Sequence, residues 1–175
     1  MEESYWGVRG LHLLATHYDK YQKHGSDLDA NLASNLEDAI NRTTADSAFA
    51  LAEQTRLHQE FQKAFERHDI VITPATNVYP FPHRTNHPTK VQGQPARHYL
   101  EWCSILYGIS LVGHPAISIP AGLDADGTPF GLQVIGPRFA DHRLLEIAQA
   151  LESLLGGIEE TRRPIADFGA LSKTR

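Results

Sequence analysis

The sequence is nearly without cysteine: Cys103 stands alone, so no internal disulfide can form and no disulfide framework sets the fold. Such usage fits a reducing compartment, and a cytoplasmic location is expected. Long apolar runs are missing as well. No stretch approaches the roughly 18 apolar residues of a membrane-spanning helix, and Met1 to Arg9 has no apolar core of secretory-leader length. A soluble chain with no membrane partner is expected. Positive charge is also scarce. Sixteen Lys and Arg against 21 Asp and Glu leave a formal charge of −5, which gives no reason to expect a nucleic-acid or anionic-membrane partner. No internal repeat and no low-complexity tract is visible.

What is present is ordinary globular material. The 175 residues are 41% apolar and 21% charged, enough for one domain with a real core. Ten histidines are unusual and raise the net charge below about pH 6.5.

The first part reads as helical. Leu11, Leu14, Ala15, Tyr18 and Tyr21 recur at helix spacing until His24-Gly25-Ser26 interrupts. Leu28, Leu32, Leu36, Ala39 and Ile40 give a second stripe. Thr43 and Asp46 form a capping pair for a third helix running to about His68. From Asp69 the character changes. Ile70-Val71-Ile72-Thr73 reads as a buried strand stopped by Pro74. Residues 75–95, rich in Pro, His, Thr and Asn, read as a long loop. Pro95 suits the first turn of a helix, with Tyr99, Cys103, Leu106 and Tyr107 on one side and Gly108 at its end. Ala116 to Ile119 and Phe130 to Ile135 read as strands of a hairpin turned by Asp124-Ala125-Asp126-Gly127. Asp141 is expected to cap a last helix, carrying Leu144, Leu145, Ala148, Leu151 and Leu155 and ending at Gly156. Beyond Ile158 a surface tail is expected. The order of elements predicts an α/β or α+β class with about three strands, too few to cover two apolar strands on both faces.

Three segments carry a family resemblance in order and spacing. They are Asp69-Ile70-Val71-Ile72-Thr73-Pro74-Ala75-Thr76, the run Gly113-His114-Pro115-Ala116-Ile117-Ser118-Ile119-Pro120-Ala121-Gly122, and the run Gly127-Thr128-Pro129-Phe130-Gly131-Leu132-Gln133-Val134-Ile135-Gly136-Pro137. The helix at 141–152, and the helix at 43–68 with Arg56 near its middle, complete the pattern. Together they resemble the C-terminal third of the amidase-signature hydrolases. The resemblance implies an α/β fold, part of an α/β/α architecture with helices packed on a partial mixed sheet. It treats 1–175 as a single partial domain: a helical lead-in at 1–42 with a weaker match, a matching region at 43–155 and a tail at 156–175. It also implies amide C–N hydrolysis by a Ser–cis-Ser–Lys mechanism with no metal and no cofactor. In that mechanism a neutral lysine relays a proton through a bridging serine to the nucleophile, and a Gly- and Ser-rich loop supplies the oxyanion hole.

That machinery is not written in this sequence. None of its nine serines has the glycine neighbours of such a loop, and the family's lysine lies upstream of the matching region, so Lys20, Lys23, Lys63, Lys90 and Lys173 do not inherit its role. No catalytic residue is assigned. The chain is expected to be a C-terminal segment, inactive alone, whose partners are a small-molecule amide in the intact parent, the missing N-terminal portion, or a second copy. Implied substrates run from small acyl amides to aryl, peptide and fatty amides, and some members act on tRNA-linked glutamate within an amidotransferase. By resemblance Phe139 matches an aromatic position near the acyl pocket, and Thr73 and Thr76 lie at a strand end where α/β sheets place ligands. The bland reading of Phe139 is a core or rim hydrophobe. Gly113, Gly122 and Gly131 read as backbone-geometry positions, and Gln133 as a partner for buried backbone groups. Two rival chemistries present themselves. Cys103 with His98 or His114 offers a thiol and a base, but a helix-face cysteine between Trp102 and Leu106 reads as a small core hydrophobe. His83, His87 and His98 offer three imidazoles, but Pro82 and Pro88 break the helix that would align them. The remaining rival is a non-catalytic remnant or a partner-binding part of a split amidase.

Overall fold

The computed structural model describes residues 1–165 and 168–171. Contacts divide the chain into two compact units. One comprises Met1–Asp69 and Thr76–His114, the other Ile70–Ala75 and the described residues from Pro115 onward.

The first unit is helical. Helices α1 (Glu2–His24), α2 (Ala30–Asn41) and α3 (Thr44–Phe65) are followed, after a long irregular stretch, by α4 (Tyr107–Val112). Two of the starts have a clear local cause. Asp29 accepts from the backbone N–H groups of Asn31 and Leu32 at the head of α2. At α3 the expected capping box forms: the Thr43 hydroxyl accepts from the Asp46 N–H, and the Asp46 carboxylate accepts from the Thr43 N–H at 2.8 Å. The helices approach closely through small residues. A Cβ placed on Gly7 would lie 2.5 Å from that of Ala50, and one on Gly10 would lie 3.0 Å from that of Ala39. So α1 packs tightly on both α3 and α2, and Val8, Ala50 and Leu111 form a buried cluster with Leu57 against it.

Within this unit the loop from residue 76 departs from expectation. Pro95 does not open a helix. It lies in a two-residue strand, β3 (Gln94–Pro95), paired antiparallel with β2 (Lys90–Val91) around Gln92 and Gly93, both at positive φ. Two successive left-handed residues are the geometry of a tight hairpin turn. The helical stretch begins only at Glu101 as a tight 3-10 segment, Glu101–Leu106, that leads into α4. Gly108 is buried inside α4 rather than ending it. The stop is Gly113, whose φ of 67° fits a left-handed C-cap.

The second unit is a three-stranded antiparallel sheet under one long helix. Strands β1 (Val71–Pro74), β5 (Pro129–Ile135) and β4 (Ala116–Leu123) lie in the order β1-β5-β4. The expected hairpin is β4–β5, and its turn is held by the Asp124 carboxylate, which accepts from the N–H groups of Asp126 and Thr128. Helix α5 (Asp141–Gly156) packs Leu144 and Ala148 against Ile119 and Val134, joined by Ile117, Leu132 and Leu151. Asp141 is the first residue of α5, not its cap; Ala140 takes the cap position. β1 is not fully buried. Its residues alternate between half-buried and exposed, and Ile72 is 46% exposed. The segment after Ile158 is not all loose tail. Glu159–Thr161 forms a turn against β4, the Thr161 hydroxyl donates to the Leu155 carbonyl at 2.8 Å, and a last short helix, α6, spans Phe168–Leu171. Among the described residues no helix is long and apolar enough to cross a membrane.

Candidate functional site

The sheet register builds the most suggestive surface. Thr73 pairs with Gln133, and Gln133 pairs with Ser118. Side chains of directly opposed residues share a face, and successive residues alternate faces. Val134, Ile119 and Leu132 point toward α5, so Thr73, Gln133 and Ser118 form a polar row on the opposite face. The Thr73 hydroxyl lies 3.4 Å from Gln133 Oε1 and also donates to the Pro74 carbonyl at 3.1 Å. Beside this row sits Gly131. A Cβ there would lie 3.3 Å from the Ser118 hydroxyl and 3.4 Å from the Ala75 Cβ. The glycine therefore keeps the row uncrowded. Its role is space rather than backbone conformation, unlike Gly113 and Gly122, whose φ values of 67° and 96° are left-handed.

The three expected pocket residues have different local settings. Thr73 joins the polar row. Thr76 belongs to the helical unit, and its hydroxyl donates to the Val78 carbonyl at 2.8 Å, fastening the loop to itself. Phe139 is 90% exposed, at φ 63°, in the turn after β5. The Arg138 guanidinium lies 5.1 Å from its ring centre. The exposure of Phe139 excludes a core position. Sequence reasoning alone does not bring Ser118 and Gln133 into the site. The signal it offers is a polar residue at matching positions of two apolar strands, which only the hairpin register can align.

The rival sites separate. The Cys103 thiol donates to the Leu100 carbonyl, and burial pushes its pKa up, against thiolate chemistry. His98 Nε2 faces Glu2 at 2.8 Å. His114 is buried between the rings of Phe61 and Phe65, each 5.0 Å away. Among the described residues no group of three His, Cys, Asp or Glu side chains gathers as a metal site, so His83, His87 and His98 do not form one. Nor, among them, does a hydrogen bond join a serine to a lysine: Ser4, Ser26 and Ser153 donate elsewhere, and Lys63 pairs with Glu60.

The family model for amidases matches residues 22–145. The chain belongs to the amidase family. One relative of this amidase segment is a glutamyl-tRNA(Gln) amidotransferase subunit from Dehalococcoides mccartyi, 40% identical over 110 residues. Those residues are 63% of this chain but 21% of the relative. Another is a fatty acid amide hydrolase of Medicago truncatula, 34% identical over 130 residues, covering 74% of this chain and 21% of the relative. Among solved structures, a bacterial aryl acylamidase of the amidase-signature family superposes with a TM-score of 0.73 at 22% identity. The match covers 94% of this chain and 36% of that one, which shows the shared α/β fold. The chain thus spans about a fifth of the length of these curated relatives.

Proposed function

We propose that this amidase segment forms one wall of an amide-hydrolysing site and supplies no catalytic group itself. The observation that carries the reading is the polar row Thr73–Gln133–Ser118, which falls within the family match and lies beside Gly131, where a side chain would crowd it. Hydroxyls and a carboxamide on a sheet face suit the polar atoms of an amide. Phe139, exposed in the turn after β5, suits the acyl group of the substrate. The nucleophile, bridging serine and lysine come from chain outside these residues, because no serine of the sequence stands in a Gly- and Ser-rich loop. One relative is named as an amide hydrolase, which supports the substrate class. Another is named as part of an amidotransferase, which supports the idea of a partner. We expect the 175-residue product to release no ammonia from acetamide, benzamide or an oleamide-type substrate. Hydrolysis above the buffer rate that stays with the chain through repeated purification would overturn the reading. The DNA just upstream of the Met1 codon is the companion test. An in-frame Gly- and Ser-rich loop and an earlier lysine are expected if this segment works within an intact amidase.

A second reading, a non-catalytic remnant or a chain that binds the other part of a split amidase, is favoured by one feature. β1 is an outer strand with its apolar Ile72 half-exposed.

A further inference from the structure

In the helical unit a half-buried cation lacks a counter-charge among the described residues. Arg9 lies in the N-terminal half of α1. Its guanidinium is 5.3 Å from the Trp6 ring centre, and Nη2 donates to the Tyr99 hydroxyl at 3.4 Å. That hydroxyl already accepts from Asn35 at 2.7 Å. Arg42, Arg56 and Arg97 each meet a carboxylate, whereas among the described residues Arg9 has none within ion-pair distance. The guanidinium also bears on the Tyr5 hydroxyl, but its Nη1 is buried without a well-aligned hydrogen bond. An unsatisfied N–H on a partly desolvated cation is costly, and an anion is the group that relieves it best.

The surroundings give such an anion room. Arg9 lines an open cleft of about 170 Å³ together with Tyr5, Val8, Ser110 and Leu111, and no lining residue is acidic. A cavity of roughly 150 Å³ is enough for a benzene ring. The walls divide by chemistry. Val8 and Leu111 are each 6% exposed and apolar, while the Tyr5 and Ser110 hydroxyls are donors. Burial raises the Tyr5 phenol above its ordinary pKa, against the opposing pull of Arg9, so it keeps its proton.

We propose that this cleft binds a small carboxylate with an apolar body, the carboxylate on Arg9 and the body on Val8 and Leu111. The site lies wholly in the helical unit and shares no residue with the polar row, so it does not depend on the hydrolase reading. The test is an NMR titration of the full chain with benzoate, with benzamide as the neutral isostere. Saturable shifts with benzoate are expected, with affinity for benzamide lower by about tenfold or more, the loss of one charged hydrogen bond. Arg9→Met should weaken benzoate by a similar factor and leave benzamide unchanged. Arg9→Lys, which keeps the charge but loses the planar fork, should fall between. No saturation with benzoate, or equal binding of the two ligands, overturns the proposal. So does Arg9→Met binding benzoate like the parent. Should Arg9→Met fail to fold, the benzoate-to-benzamide ratio of the parent and the Arg9→Lys titration decide the matter.

Discussion

Gly122 shows how much one position can settle. It sits in β4 at φ 96°, and a Cβ there would collide with the Glu160 carbonyl oxygen and lie 2.9 Å from the Thr161 Cα. Both obstacles are backbone, so neither can swing aside. Gly122→Ala should destabilise the protein by about 2 kcal/mol or more, combining left-handed strain with the clash. Thermal unfolding followed by circular dichroism checks this; Gly156→Ala, where a Cβ meets open space, is the control and should be near neutral or slightly stabilising. The sequence marks Gly122 as a backbone position by its place after Pro120 and Ala121. It does not show why, because the colliding segment is more than thirty residues away in the chain.

At the scale of elements, local chemistry explains most boundaries, and the capping box of α3 is the clearest. Two hydrogen bonds from Thr43, hydroxyl and backbone N–H, hold the Asp46 carboxyl below its usual pKa. A depressed folded-state pKa adds stability that is present above the ordinary carboxylate range, near pH 4, and lost as pH falls through the folded value. Thr43→Ala should therefore cost about 1 kcal/mol at neutral pH. The gap between variant and parent should narrow below about pH 4 as Asp46 gains its proton. Denaturant melts across that range measure it; a gap independent of pH would argue that the Thr43 hydroxyl acts without Asp46. Elements that rest on weaker local signals are less legible. The β2–β3 hairpin turns on Gln92-Gly93, a poorer hairpin signature than Asn-Gly, inside a stretch whose prolines and histidines suggest a structureless loop. Gly108 looks like a helix stop in the sequence, yet it is tolerated inside α4 where the Met1 sulfur crowds it, at 2.7 Å from a Cβ built there. A glycine inside a short helix cannot be told from a stop by composition.

For the whole molecule, the issue is what the sheet lacks. Three strands in the order β1-β5-β4 leave β1 and β4 on the outside. Ile72, Leu123 and Phe130 are half-exposed along the sheet. Outer strands with apolar side chains recruit other strands unless charge or a bulge blocks them. β4 has a register shift between Pro120 and Leu123, whereas β1 has none. We expect the chain to associate through β1, so light scattering should give a mass rising with concentration above the 19.5 kDa of one copy. Ile72→Lys should suppress the rise. A constant single-copy mass at high concentration would show that β1 is shielded, and the split-amidase reading would lose its support.

The sequence by itself determined the existence of the helices, the Thr43–Asp46 cap, the Asp124 turn, the α/β class and, through the order and spacing of three proline- and glycine-marked segments, the family. These depend on residues within a few positions of each other or on motif order, which a linear chain displays directly. The sequence misplaced the packed face of α1, where Leu11, Ala15 and Tyr18 are exposed and Ser4, Gly7, Val8 and Gly10 are buried. Tertiary structure alone decided that Thr73, Gln133 and Ser118 share a face, that Thr76 spends its hydroxyl on its own loop, and that Arg9 lies beside a cleft without a carboxylate. The first and last of these follow from register or packing between distant segments. Thr73 and Gln133 are sixty residues apart, Arg9 and Tyr99 are ninety apart, and no local propensity fixes which side chains meet across such a separation.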